Sequence, residues 1–72
     1  MELVKLSLGV EIKRGDNILI KDAYGKLHIE RINWCVEPFI SNNGDVRIEY
    51  TSEECKTKVN RSCENIWLIK QK

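Results

Sequence analysis

The sequence has no long hydrophobic run. Its longest uninterrupted apolar stretch is the four residues 66–69, against the roughly 20 that a membrane-spanning helix needs. No membrane partner is expected. The opening residues lack a basic region, an apolar block and a small-residue cleavage site, so no signal peptide is read there. Proline occurs once and glycine four times, and no linker, repeat or low-complexity segment is visible. Neither sign of charge dominates. Twelve Lys and Arg face eleven Asp and Glu, for a net charge of +1, which is not the electrostatic footprint of a strong nucleic-acid binder. Histidine occurs once, as His28. A Cys–His nucleophile pair would lack a third orienting residue and an oxyanion loop. With 72 residues, one domain (1–72) and a thin core are expected, because a chain of this size buries only about 60% of its unfolded surface. Room for a deep substrate pocket is small, and no enzyme is expected.

Apolar alternation is what the chain does have. Val4, Leu6, Leu8, Val10 and Ile12 repeat with period two, which predicts a half-buried strand over residues 2–14. Gly9 is expected to bend or break it. Gly15-Asp16 is a turn, followed by a strand with Ile18 and Ile20 inward. Tyr24-Gly25-Lys26 reads as the turn of a hairpin. In 27–34 the parity changes: Leu27 and Ile29 share one face, Ile32 and Trp34 the other. A β-bulge near Glu30-Arg31 would bring all four to one core. Pro38 has no N–H for a ladder and belongs at an edge or bulge. Asn43-Gly44 is the strongest hairpin signal in the chain. Val46, Ile48 and Tyr50 alternate with charged residues beyond it. Thr57 and Val59 mark another strand, residues 61–65 a short helical turn, and residues 66–69 a final strand buried by its apolar run.

The expected fold class is all-β, a small barrel of about five antiparallel strands with an extra N-terminal strand and one short helical turn. Its expected core is Val4, Leu6, Val10, Ile12, Ile18, Ile20, Leu27, Ile29, Ile32, Val46, Ile48, Val59, Ile66 and Leu68.

This pattern resembles the Src-homology-3-like (SH3-like) small barrels, a superfold shared by Tudor, chromo-barrel and KOW domains. The resemblance covers roughly residues 12–69. It rests on Gly15-Asp16 leading into Asn17-Ile18-Leu19-Ile20, the long bent strand through Ile29 and Trp34, the strand Val46 to Tyr50, and the closing Asn65-Ile66-Trp67-Leu68. An oligonucleotide-binding barrel is the rival all-β reading. The superfold hosts many unrelated functions, so the fold implies no single role.

Three binding readings follow. The first is protein binding, as an adaptor or an inhibitor of a partner, or by self-association, through Tyr24, Trp34, Phe39 and Tyr50. The stretch Cys35, Val36, Pro38, Phe39 and Ile40 is apolar and irregular, and an exposed Phe39 would anchor a partner. The second is DNA or RNA binding, with Lys56, Lys58, Arg61, Lys70 and Lys72 on phosphates. Lys13 and Arg14 could join them in space, although the Gly-rich loop of KOW domains is absent. The third is implied by the Tudor resemblance: an aromatic cage for methylated lysine or arginine, built from the same four aromatics by cation–π attraction.

Cys35, Cys55, Cys63 and His28 form a chemically valid zinc set, but no paired Cys-x-x-Cys knuckle supports it. No metal and no cofactor is expected. A Cys55–Cys63 disulfide is conceivable, whereas small buried hydrophobes are the default for all three cysteines. An odd number of cysteines points to a reduced, cytoplasmic setting.

Overall fold

Asp22 closes the first hairpin. Its Oδ1 accepts the backbone N–H groups of Tyr24 at 2.9 Å and Lys26 at 2.8 Å. Gly25 takes a φ of +80°, a conformation that side-chain-bearing residues rarely adopt. The strands on either side are β2 (Asn17–Lys21) and β3 (Leu27–Cys35). The computed structural model describes residues 1–70. Its remaining strands are β1 (Glu2–Lys5), β4 (Phe39–Ile40), β5 (Val46–Ser52), β6 (Val59–Ser62) and β7 (Ile66–Lys70), with one 3-10 turn at Cys63–Asn65 before β7.

The seven strands are all antiparallel and form one curled half-barrel. Their order is β1-β7-β2-β3-β5-β4, with β6 on the other edge of β5. β3 is the joint. Its first half pairs with β2 and its second half with β5. The Asn43-Gly44 turn links β4 to β5 as its sequence predicts, closed by Ser41 N–H to the Asp45 carbonyl at 2.9 Å.

The inward side chains follow the period-two rule. Ile18 and Ile20 of β2 meet Leu68 and Ile66 of β7 in register. Ile32, Ile48 and Tyr50 continue the core across β3 and β5, joined by Leu6, Ile12 and Cys63. Val4, Val10, Cys35, Val46 and Val59 pack around them half-buried. Burying each large side chain stabilises the fold by about 1.5–3 kcal/mol.

Several expectations are corrected. The N-terminal strand ends at Lys5 rather than running to residue 14. The chain turns at Leu8-Gly9, where Val10 N–H bonds the Ser7 carbonyl and Gly9 has a φ of +86°. Leu8 is therefore exposed, while Leu6, Val10 and Ile12 still reach the core. The bulge in β3 lies between Ile32 and Trp34, not at Glu30-Arg31. Ile32 faces the core, but Leu27 and Ile29 keep the opposite parity and stand 58% and 65% exposed. The extra residue turns Trp34 outward as well. In β7 only Ile66 and Leu68 are buried. Trp67 and Ile69 lie half-buried on the outer face.

The division into inner and outer faces makes a direct test. Ile18→Ala should cost about 2–5 kcal/mol, most of what a core this small supplies. Ile29→Ala should change stability by less than about 0.5 kcal/mol. Urea denaturation of both variants checks this, and equal losses would place Ile29 inside.

Candidate functional site

The four aromatics expected at a binding surface do not assemble. Tyr24 sits at the tip of the β2–β3 hairpin, 95% exposed. Trp34 lies at the far end of β3 and is 39% exposed. Phe39 is half-buried in β4. In register, Trp34 lies opposite Thr51 and Phe39 opposite Arg47. Those partners are four residues apart on one strand, which sets the two backbone positions about 13 Å apart along it. Tyr50 is wholly buried and contributes to no exposed surface. Its hydroxyl donates to Glu30 Oε1 at 2.7 Å and accepts from Arg61 Nε at 3.0 Å. The ring supplies core area while its polar tip finds charged partners from β3 and β6.

An aromatic cage is accordingly not formed. Lys58 occupies the Trp34 face, its Nζ 4.9 Å from the ring centroid. This internal cation sits where a cage would hold its ligand. Thr51, opposite Trp34 on the same face, is buried, and its hydroxyl has no hydrogen-bond partner among the described residues.

The cations expected to contact phosphate are scattered. Lys56 is exposed in the β5–β6 connection, Lys58 covers Trp34, and Arg61 is tied to Tyr50. Lys70 ends β7, in register with Glu2. Lys72 lies outside the described residues. Lys13 and Lys70 line an open groove of about 610 Å³, together with the acids Glu11, Asp16 and Glu37. Its charge is mixed and it selects no ligand of one sign.

The zinc set is not gathered either, for the described residues contain no cluster of three or more such ligands. His28 Nε2 bonds Asp22 Oδ2 at 2.8 Å near the hairpin tip. That contact, followed by the Lys26 and Tyr24 N–H groups, holds the Asp22 carboxyl below its usual range. All three cysteines are free. Burial pushes the Cys63 thiol up, and burial reinforced by Asp16 and Glu37 raises that of Cys35. Neither becomes a readier nucleophile. Cys55 is exposed rather than buried.

A different surface does assemble, on the outside of the sheet. Cross-strand register places Lys5, Trp67, Leu19 and Ile29 in one row across β1, β7, β2 and β3. A second row holds Leu3, Ile69, Asn17 and Arg31, and Leu27 pairs with Lys21 beside them. Trp67, Leu19 and Ile69 are half-buried, whereas Leu3, Leu27 and Ile29 are exposed. Every charge among these positions is positive: Lys5, Lys21 and Arg31. Lys5 Nζ stands 5.8 Å from the Trp67 ring centroid, and Arg31 Nε lies 3.8 Å from Glu53 Oε2. The signal for this surface was in the sequence. A run of four apolar residues at 66–69 places two of them on each face of its strand.

Tyr50 also makes the fold sensitive to alkali. Burial, helped by the Glu30 hydrogen bond and opposed by Arg61, pushes its phenol up to about 12 from a usual 10.0. The folded pKa is raised, so this contribution is complete below pH 10 and is lost as pH climbs to 12. The loss is of order 2–3 kcal/mol at about 1.36 kcal/mol per unit. In Tyr50→Phe that alkaline difference should disappear, while stability at neutral pH falls by about 1–3 kcal/mol as Glu30 and Arg61 lose their partner. Urea midpoints from pH 8 to 12 compare the two proteins, and parallel curves would mean that Tyr50 does not govern the alkaline limb.

No protein-family model matches the sequence, and neither a curated protein nor a solved structure matches the chain.

Proposed function

We propose that this chain is a non-catalytic binding module, an SH3-like barrel that acts as an adaptor or inhibitor by docking another protein on the outward face of β1, β7, β2 and β3. An antiparallel meander that curls on itself, turns through one 3-10 segment and returns its last strand beside β2 supports the SH3-like assignment. The carrying observation is the apolar surface built from Leu3, Leu19, Leu27, Ile29, Trp67 and Ile69 on a domain too small to expose such a patch without cost. A Trp at the centre of a half-buried cluster is the composition of an interface anchor. The binding surface thus moves away from Tyr24, Trp34, Phe39 and Tyr50. Three unpaired cysteines support a reducing, cytoplasmic setting.

The nucleic-acid reading draws less support. Lys58 and Arg61 are engaged by Trp34 and Tyr50 of the same chain, and the apolar face carries too few cations to track a phosphate backbone.

Photo-crosslinking tests the proposal. A benzophenone side chain placed at Leu3, at Ile29 or at Asn43 in the opposite loop is irradiated in cells producing the full chain. Positions 3 and 29 should yield the same discrete protein adduct, and position 43 should not. Equal labelling from all three positions, or an adduct that nuclease removes, would overturn it.

A further inference from the structure

The backbone beneath this apolar face is unpaired along one edge. Asp22 N–H bonds the Lys26 carbonyl and Ile32 N–H bonds the Asp16 carbonyl. In an antiparallel ladder this fixes the alternation: even-numbered residues of β3 direct their N–H and C=O groups to β2, and odd-numbered ones direct theirs away. Leu27 and Ile29 therefore point their backbone groups off the sheet. β5 joins β3 only from Ile32 onward, and the Glu53 N–H takes the Arg31 carbonyl at 3.0 Å. Among the described residues, no strand covers the stretch from Leu27 to Glu30.

Natural edge strands are usually protected by charge, proline or a bulge. This one instead carries Leu27 and Ile29, two of the most exposed large apolar side chains in the molecule. The bulge lies beyond Ile32 and twists nothing away here. Open backbone and outward apolar side chains on the same residues are the two requirements of strand addition, in which main-chain bonds hold an extended peptide and alternate side chains select it. A lipid surface or a folded patch would use the apolar side chains and leave the edge backbone groups to water.

Charge narrows the partner further. Lys26 precedes the open stretch, Arg31 follows it, and Lys21 lies across from Leu27. Two copies of this chain stacked face to face would crowd these cations together. An acidic segment would be drawn to them. On the inner side Glu30 is held by Tyr50 and Asp22 by His28. Glu53 stands against Arg31 at the far end of the stretch, and Lys21 and Lys26 have no ion-pair partner among the described residues.

Resting on the protein-binding reading above, we infer that the partner's contact is an extended acidic segment with alternating apolar residues. It adds as a strand to the free edge of β3 at Leu27–Ile29 and prolongs the outer apolar face.

The probe is a short capped peptide of alternating Glu and Val, with a Lys–Val peptide as control. Each is titrated to millimolar concentration into the labelled full chain at low salt. The Glu–Val peptide should shift the Leu27 and Ile29 amides, slow their hydrogen exchange, and bind at least tenfold more tightly than the control. Ile29→Pro removes an N–H that faces solvent, a place where strands tolerate proline, and should weaken binding at least tenfold. Ile29→Thr retains the N–H and should weaken it less. Shifts confined to Leu3 and Trp67, with Ile29→Pro still binding, would overturn strand addition and leave the apolar face as the docking site. Absence of any shift at Leu27 and Ile29 would overturn strand addition as well. The crosslinks from positions 3 and 29 judge the protein-binding reading independently of this result.

Discussion

The sheet depends on a single extra residue in β3. Between Ile32 and Trp34 the register with β5 slips by one, and a β-bulge of this kind bends its strand and increases the local twist. β3 can then leave β2, where its first half is paired, and continue along β5. Without that bend the chain would form two flat ribbons with no shared interior. The same slip decides which side chains lie inside. Ile32 is buried before it and Cys35 packs on the core after it, whereas Trp34 is turned out. Leu27 and Ile29, upstream of the bulge, remain on the outer face of the hairpin.

Turn chemistry was legible because it is local. Asn43-Gly44 and Tyr24-Gly25-Lys26 close hairpins where their residues say they should, and Gly9 breaks the first alternating run. The inward set of β5 was equally readable, since its alternation has only two phases and only one of them is apolar. In β2 the outward Leu19 between Ile18 and Ile20 departs from that rule. The bulge was inferred from a real change of parity in 27–34, but its position was not encoded in that change. A slip at Glu30-Arg31 or at Asn33 reconciles the pattern with a sheet. The choice is made by β5, whose partnership with β3 begins only at Ile32. The aromatic site failed for a related reason. Whether Tyr50 lies in or out depends on Glu30 and Arg61, which are distant in sequence, and the occupancy of Trp34 depends on Lys58, which lies in a different connection.

The Glu30–Tyr50–Arg61 contact shows how a core this thin admits a phenol. The ring fills volume that Ile and Leu alone would leave, and the hydroxyl must then be satisfied at the margin of the barrel. Charged partners do this more strongly than neutral ones. The three residues come from β3, β5 and β6, so the contact also pins β6, an outermost strand, to the joint of the sheet. Arg47 adds a second tie, bonding Asp45 beside the Asn43-Gly44 turn and Asn60 of β6. The first of these ties draws on Arg61, a cation that a nucleic-acid surface would have had to keep free.

An apolar outer face on so small a barrel is explained poorly by folding alone. Leu19, Trp67 and Ile69 are half-buried, but Leu27 and Ile29 are exposed and sit where the edge of β3 away from β2 has no partner strand among the described residues. Replacing them with Lys or Thr would protect the edge at almost no cost to the core. Their presence, ringed by Lys5, Lys21 and Arg31, therefore carries information that stability does not supply. An added strand would bury both side chains and satisfy both pairs of backbone groups at once. The cationic rim disfavours a second copy of the chain in that place, because it would set like charge against like.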